Sequence, residues 1–556
     1  MGIGGFRRLG SWCAASAALG WTLSGCSGTP KVPPSTDIDE TLYRDGVRVL
    51  ASDDFEGRRP GTPGEEKTVA YLTQQFHRLG LKPGNGPSYV QTVPLTEITV
   101  TSAAFSVLGQ SGTRRLEPGK EVVLWSKRAG PEQVLSRSEL VFVGYGTVAT
   151  EYAWNDYAGL DVHGKTVLVL MGDPGTGSKD PTQFKGNALT AYGRFQYKLE
   201  EAARQGAAGV LLIHDATALG YGWSAVQATW GGAQFQINPA EDAPRAAIEG
   251  WIEGEAAKSL IAAAGQDLPA LRAAAGRKDF KAVPLNSKVD GVLHQTQRSF
   301  NSANVIALLP GHKHKDEYVI YAAHWDSLGM DTRAGKHAVY TGAVDNATGV
   351  AGLLALAQSQ VRTQPVADRS MVFLATTAAE PDSLGASYYA QNPVFPLRQT
   401  AAFILVNTLL VGGHARDMSI LGFGNSDIEE SARSEALLEG RETHPDPFPE
   451  LGLYYRSEAY VFARHGVPAL YAVSGVDNAA RGTNYGRAQR TDFMAHVDHQ
   501  PTDQYSPDWN VRGALDDLSL YYGVGARVAR GRRFPRWSPN SEFRAAHARP
   551  TEAASD

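Results

Sequence analysis

Two kinds of apolar spacing alternate along this chain and divide it into regions. In "GTPGEEKTVAYLTQQFHRLGLKPG" the residues Val69, Leu72, Phe76 and Leu79 recur at helical spacing, which predicts an amphipathic helix with one core-facing stripe. Thr62 suits the N-cap, Pro63 the first helical position, Glu65 completes a capping box, and Gly80 ends the run. From 136 to 286 the apolar runs shorten to strand length, "ELVFVGYG" and "KTVLVLM", followed by "YKLEEAARQGAAGVLLIHD", a helix leading into a strand. Near Ser302 a second series begins: "ANVIALLPG", "EYVIYAAHWD", the helix "NATGVAGLLALAQSQ", "SMVFLATTA" and "AAFILVNTLLV". Strands alternating with helices predict an α/β fold, with a mixed, largely parallel sheet flanked by helices. The end, "RRFPRWSPNSEFRAAHARPTEAASD", is polar, and no internal repeat is visible.

With 556 residues, 42% hydrophobic and 20% charged, the chain has room for several domains and an ordinary globular composition. Acids and bases nearly balance, for a net charge of -5, so no basic stripe is available to recruit nucleic acid. The first 26 residues carry Arg7 and Arg8, a mostly apolar stretch, and then "LSGC" ending at Cys26, the order of an export signal. That ending resembles a bacterial lipoprotein lipobox. The resemblance implies cleavage before Cys26 and acylation of its thiol, giving an exported protein, held at the outer membrane facing the periplasm or secreted. No later run reaches the roughly 18 apolar residues of a membrane span, so lipid is the only membrane anchor expected. With Cys13 removed and Cys26 acylated, no disulfide is expected in the mature chain.

The chain has no HExxH and no GxSxG motif. "GLDVHGKT" fits a phosphate-binding loop in letters only: it leads into the strand "VLVLM" instead of a helix, so no nucleotide is expected. Acids and histidines do collect at strand ends. His324 and Asp326 follow "VIYAA", Asp345 precedes a helix, Glu380 follows "VFLATTAA", and His499 lies in "VDHQPTD". Loops beyond the carboxyl ends of strands in such a sheet converge on one crevice, where these ligand-type side chains can meet.

From "LASDDFEGRRPGTPGEEK" through "GYGTVATEYAWNDYAGLDVHGKTVLV" to "HQPTDQYSPDW", the chain resembles the M28 zinc aminopeptidases, in the bacterial form with an inserted protease-associated domain. The resemblance implies six segments: signal 1–26, linker 27–39, a first peptidase part 40–135, the insert 136–290, a metal-site part 291–532 and a tail 533–556. It implies His324, Asp345, Glu380 and His499 as metal ligands, with Asp345 bridging two zinc ions and Asp326 orienting His324. It also exposes departures. The family's general base falls on Ala379, an Asp ligand of the second zinc falls on Leu409, and "SEAY" with Glu458 and Ala459 stands where relatives often have "SDH". The expectation is one good zinc site, from Asp345, Glu380 and His499, and one weak or empty site. Asp382, Glu458, His496 and Asp498 are the candidate substitute bases. Three functions stay open: an aminopeptidase of impaired turnover acting on peptide or protein N-termini, a non-catalytic binder of peptide or protein, and single-zinc acyl transfer of the glutaminyl cyclase type. Ala379 counts against the last almost as much as against the first.

Overall fold

The helix foreseen from the Val69 stripe runs Pro63–Arg78 in the computed structural model, which describes Met1 and residues 38–547 apart from 111, 239–243, 332–337, 364, 366 and 381. Leu72 and Phe76 are buried, and Val69 and Leu79 pack against the same core. Thr62 takes the N-cap position, but the reciprocal capping box does not form. Glu65 accepts instead from the Gly61 N–H (2.5 Å) and the Ser302 hydroxyl (2.6 Å), so it ties the helix start to the sheet. The expected signal, Cys26 and residues 27–37 of the linker lie outside the described residues, as do residues 548–556 of the tail. No helix among the described residues is long and apolar enough to cross a membrane.

Among the described residues sixteen strands join in one mixed sheet. At its centre His314–His324 lies parallel to Arg369–Thr376 on one side and to Thr400–Leu405 on the other, and Ala469–Ser474 continues parallel beyond Thr400–Leu405. Helices Glu40–Leu50, Thr348–Arg362 and Arg512–Arg530 cover one face, and Leu384–Gln391 with Glu458–Arg464 cover the other. This proximal lobe is continuous with a distal one through the long strand Val283–Leu309. Its last residues pair with Arg369–Thr376, and its first half pairs with Glu132–Phe142. Val90–Gly109 runs antiparallel along nearly its whole length. Beyond Glu132–Phe142 come Thr166–Leu170, Gly209–Ile213 and Ile248–Ile252, all parallel, over cores of their own that include Phe142, Leu168, Trp251 and Trp125. A two-stranded ribbon this long fixes where the distal lobe sits over the strand ends.

Packing between helix and sheet is close at Gly525 in Arg512–Arg530. A Cβ there would meet the Tyr321 hydroxyl, which donates to the Tyr521 carbonyl (3.1 Å) while its ring stacks on Phe373 at 5.6 Å. Gly525→Ala is therefore expected to lower stability by about 1–3 kcal/mol. Urea unfolding measures it, and an unchanged midpoint would mean that this helix is free to shift.

Candidate metal centre

The four parallel strands end at one edge, where the turns that follow them face each other. His324 is the last residue of its strand, Glu380 lies just past Thr376, and Asp345 sits in the tight turn before Thr348–Arg362. Asp345 stands between two imidazoles: its Oδ1 is 3.3 Å from His324 Nε2 and its Oδ2 is 3.5 Å from His499 Nε2. His499 Nε2 is also 3.1 Å from Glu380 Oε2 and 3.8 Å from Asp498 Oδ1. The donor atoms fall into two groups, each within 4.8 Å: His324, Asp345 and Glu380, and Asp345, Asp498 and His499. This grouping differs from the expected set of Asp345, Glu380 and His499: Glu380 also reaches His324, and Asp498 joins as a ligand-type residue. Imidazole nitrogen with carboxylate oxygen, arranged around one shared carboxylate, is a donor set that fits zinc.

The surroundings hold this group in place. Asp503 accepts from the Val344 and Asp345 N–H groups (2.8 and 3.0 Å) and so fixes the turn that carries Asp345. Arg58 is fully buried and donates to four carbonyls, those of Trp325 (2.8 Å), Leu50 (2.6 Å), Thr341 (2.6 Å) and Gly342 (3.0 Å). Asp326, expected to orient His324, has its Oδ1 3.8 Å from His324 Nδ1, and its carboxylate accepts hydrogen bonds from the N–H groups of Ala379 (3.0 Å) and Glu380 (3.3 Å). His324 Nδ1 lies nearer still, 3.2 Å, to the main-chain oxygen of Asp326. One residue thus fixes both neighbouring turns, His324 through its backbone and Glu380 through its side chain.

Negative charge dominates the site. Burial pushes Asp326 and Asp503 each up to about 6, Glu458 up to about 7 and Asp498 up to about 8, the neighbouring carboxylates adding to it. Burial opposes the charged form of His324, yet Asp345 first, and then Asp326 and Glu380, lift it to about 10. His499 is raised in the same way against its burial, by Glu380, Asp498 and Asp345. Asp345 alone is held far below the usual carboxylate range, its two imidazole contacts outweighing its burial. Burial lowers Arg58 to about 10, which leaves it charged at neutral pH.

The departures have definite places. The Ala379 side chain is a buried methyl group beside Glu380. Asp382, a candidate substitute base, is not at the centre: it pairs with Lys127 (2.5 Å) and accepts from Gln196 (3.2 Å). His496 pairs with Asp492 on the surface. Glu458 is buried and accepts from the Thr376 hydroxyl (2.5 Å) with one oxygen, while its Oε2 has no partner among the described residues. Leu409 turns away into the core beside Gly352. Thr408 faces the site instead, donating from its hydroxyl to Asp345 Oδ1 (3.2 Å). The distal lobe closes over all of this: Thr229, in helix Trp223–Trp230, shares a 2.9 Å hydrogen bond with His499 Nδ1. A small pocket of about 40 Å³ lies between that helix and Glu380.

Arg58, Thr229, Thr408 and Asp503 were missed as site residues in the sequence. Asp503 has a signal there as the last residue of "HQPTD", and Arg58 lies within "LASDDFEGRRPGTPGEEK".

A pH dependence of the metal-free protein follows. His324 is raised from about 6.5 to about 10, so its contribution is full below pH 6.5 and lost as pH rises through 10. Glu458 and Asp498 are raised acids, which favour the fold while protonated, so their contribution also falls as pH rises to about 7 and 8. Asp345 acts oppositely, but only in acid. The urea midpoint of chelator-treated protein is expected to fall from pH 6 to pH 10 and to flatten when zinc is added. A midpoint that rises over this range contradicts the account.

Residues 304–523 match the sequence profile of peptidase family M28. A comparison with curated protein sequences finds no match. Among solved structures, an aminopeptidase from Aneurinibacillus sp. strain AM-1 is 20% identical, covering 91% of this chain and 96% of its own, with a TM-score of 0.51. A peptidase M28 precursor from Shewanella amazonensis SB2B is 17% identical over 90% of this chain and 98% of its own, with a TM-score of 0.48. The zinc aminopeptidase BSAP from Bacillus subtilis is 15% identical over 88% of this chain and 94% of its own, with a TM-score of 0.45. The profile match spans His324, Asp345, Glu380 and His499, and the fold is similar to that of the Aneurinibacillus aminopeptidase, so residues 304–523 are similar to peptidase family M28 in both sequence pattern and fold.

Proposed function

We propose that this chain is an exported zinc-binding member of the M28 peptidases that releases N-terminal residues from peptides at a reduced rate, because its general base is missing. The observation that carries the reading is the turn at Ala379 and Glu380. Its backbone is pinned to Asp326, Glu380 reaches both His324 and His499, and the residue beside Glu380 ends in a methyl group. The ligand geometry is kept while the proton acceptor is absent.

His324, Asp345, Glu380, Asp498 and His499 would hold the metal. When bound, zinc supplies Lewis acidity toward a peptide carbonyl and toward an attacking water. The chain itself must then move the proton. Of the candidate bases, Glu458 is the one with an oxygen left over, and burial poises it near neutrality, where a general base works best. Asp326, Asp503 and Arg58 position the turns and take no part in the reaction. The helix Trp223–Trp230 excludes water and must also yield, since about 40 Å³ does not admit a peptide. That enclosure favours a second reading, in which the cleft binds peptide or protein without turning it over.

Ala379→Glu is expected to raise the rate on an aminoacyl anilide about 10²- to 10⁴-fold. No gain would favour the binding reading. Glu458→Gln is expected to remove most residual turnover and flatten its pH profile near 7, with the fold intact by circular dichroism. Turnover unchanged in that variant would exclude Glu458 as the proton acceptor. Within the loop after Thr400–Leu405, Thr408→Asp is expected to raise the rate where Leu409→Asp destabilises, because only Thr408 faces the site. Its positive φ of 51° suits Asp better than most residues. The opposite ranking in anilide turnover and urea midpoint would mean that the loop turns over.

A further inference from the structure

A much larger cavity, about 790 Å³, lies between the distal lobe and the helices Leu384–Gln391 and Glu458–Arg464. It is separate from the metal centre. Strand Gln234–Ile237 lies between the two, with Phe235 and Glu380 on the metal side and Gln236 and Asp382 on the other. The lining carries seven ammonium or guanidinium groups against two carboxylates. One of those carboxylates, Asp382, is already engaged by Lys127 and Gln196.

Two of the cations share one platform. The guanidinium carbons of Arg194 and Arg464 lie 4.6 and 5.6 Å from the centre of the Tyr460 ring. Arg194 Nε is shut off from solvent and has no hydrogen-bond partner among the described residues. A buried donor without an acceptor is costly, and like charges on one ring repel each other. Burial, and then the nearby Arg464 charge, push Arg194 below its usual range, while Tyr460, Glu200 and Asp382 only partly offset this. An anion placed here would relieve the repulsion, in a concave site that concentrates positive potential.

We propose that this cavity binds a small organic anion bearing phosphate or carboxylate groups, gripped by Arg194 and Arg464 with Lys127 and Arg245 lining the same space. Seated between the lobes, the ligand holds the distal lobe down. It reaches the metal centre through Asp382, two residues beyond Glu380. The inference does not depend on peptidase activity.

Titration calorimetry on the full mature, zinc-loaded chain tests it, with inorganic phosphate and succinate as probes and sodium chloride at matched ionic strength as the baseline. The expected result is saturable binding of at least one probe, weakened at least tenfold by Arg194→Gln. Binding of phosphate alone assigns a phosphorylated ligand, and binding of succinate alone assigns a carboxylate. Because Arg194 replacement can disturb packing, Arg464→Ala, at an exposed position, is measured beside it and is expected to weaken binding as well. Binding of neither probe above chloride overturns the proposal. So does unchanged affinity in both variants, which would place the anion at the metal centre.

Discussion

Too many acids share one buried place, and the surrounding structure answers that constraint. Asp326, Asp345, Glu380, Glu458, Asp498 and Asp503 approach one another at the ends of the central strands, and beside the two histidines Arg58 is the fixed cation that lies among them. Isolated buried carboxylates are strongly disfavoured, so each must be hydrogen-bonded, protonated or matched by positive charge. Asp326 and Asp503 are satisfied by backbone N–H groups, and Arg58 organises the facing carbonyls. Asp345, Glu380 and Asp498 are left to the two imidazoles, whose raised protonation measures how much cationic charge the centre still calls for. A divalent cation meets that demand without protons, which links metal binding to stability.

The same turns explain how the site holds its shape. The N–H of residue 379 is held by Asp326 whatever side chain the residue bears, so the turn does not depend on the Ala379 methyl group. Gly385 works alike: a Cβ there would strike the Thr377 carbonyl, so its absence lets Leu384–Gln391 start directly on the strand end. The distal lobe adds a further layer of control. Its contact with a ligand-type histidine, Thr229 to His499, helps fix the orientation of that ring, as outer hydrogen bonds commonly do.

Much of this was legible in the sequence, for identifiable reasons. The alternation of short apolar runs with amphipathic helices gave the α/β sheet, and the placement of His324, Asp345 and Glu380 at element ends pointed to a shared crevice. What stayed hidden depends on tertiary contact. Arg58 has the composition of a surface residue, and only four carbonyls from separate segments make it a core one. Thr229 meets His499 across 270 residues, a distance that no local pattern spans. Thr408 and Leu409 differ by one position in a turn with a left-handed residue, and spacing alone does not say which of them faces inward. Glu65 likewise satisfied the letters of a capping box but found Ser302 instead.

The central claim is that these buried acids and imidazoles form a zinc centre even without the general base. Zinc content of the purified mature chain, by elemental analysis after dialysis against trace zinc, tests it most directly. The account predicts about one tightly held zinc per chain, lost in Asp345→Asn. A chain that emerges with no zinc, and whose histidines titrate the same whether zinc is added or not, would contradict it.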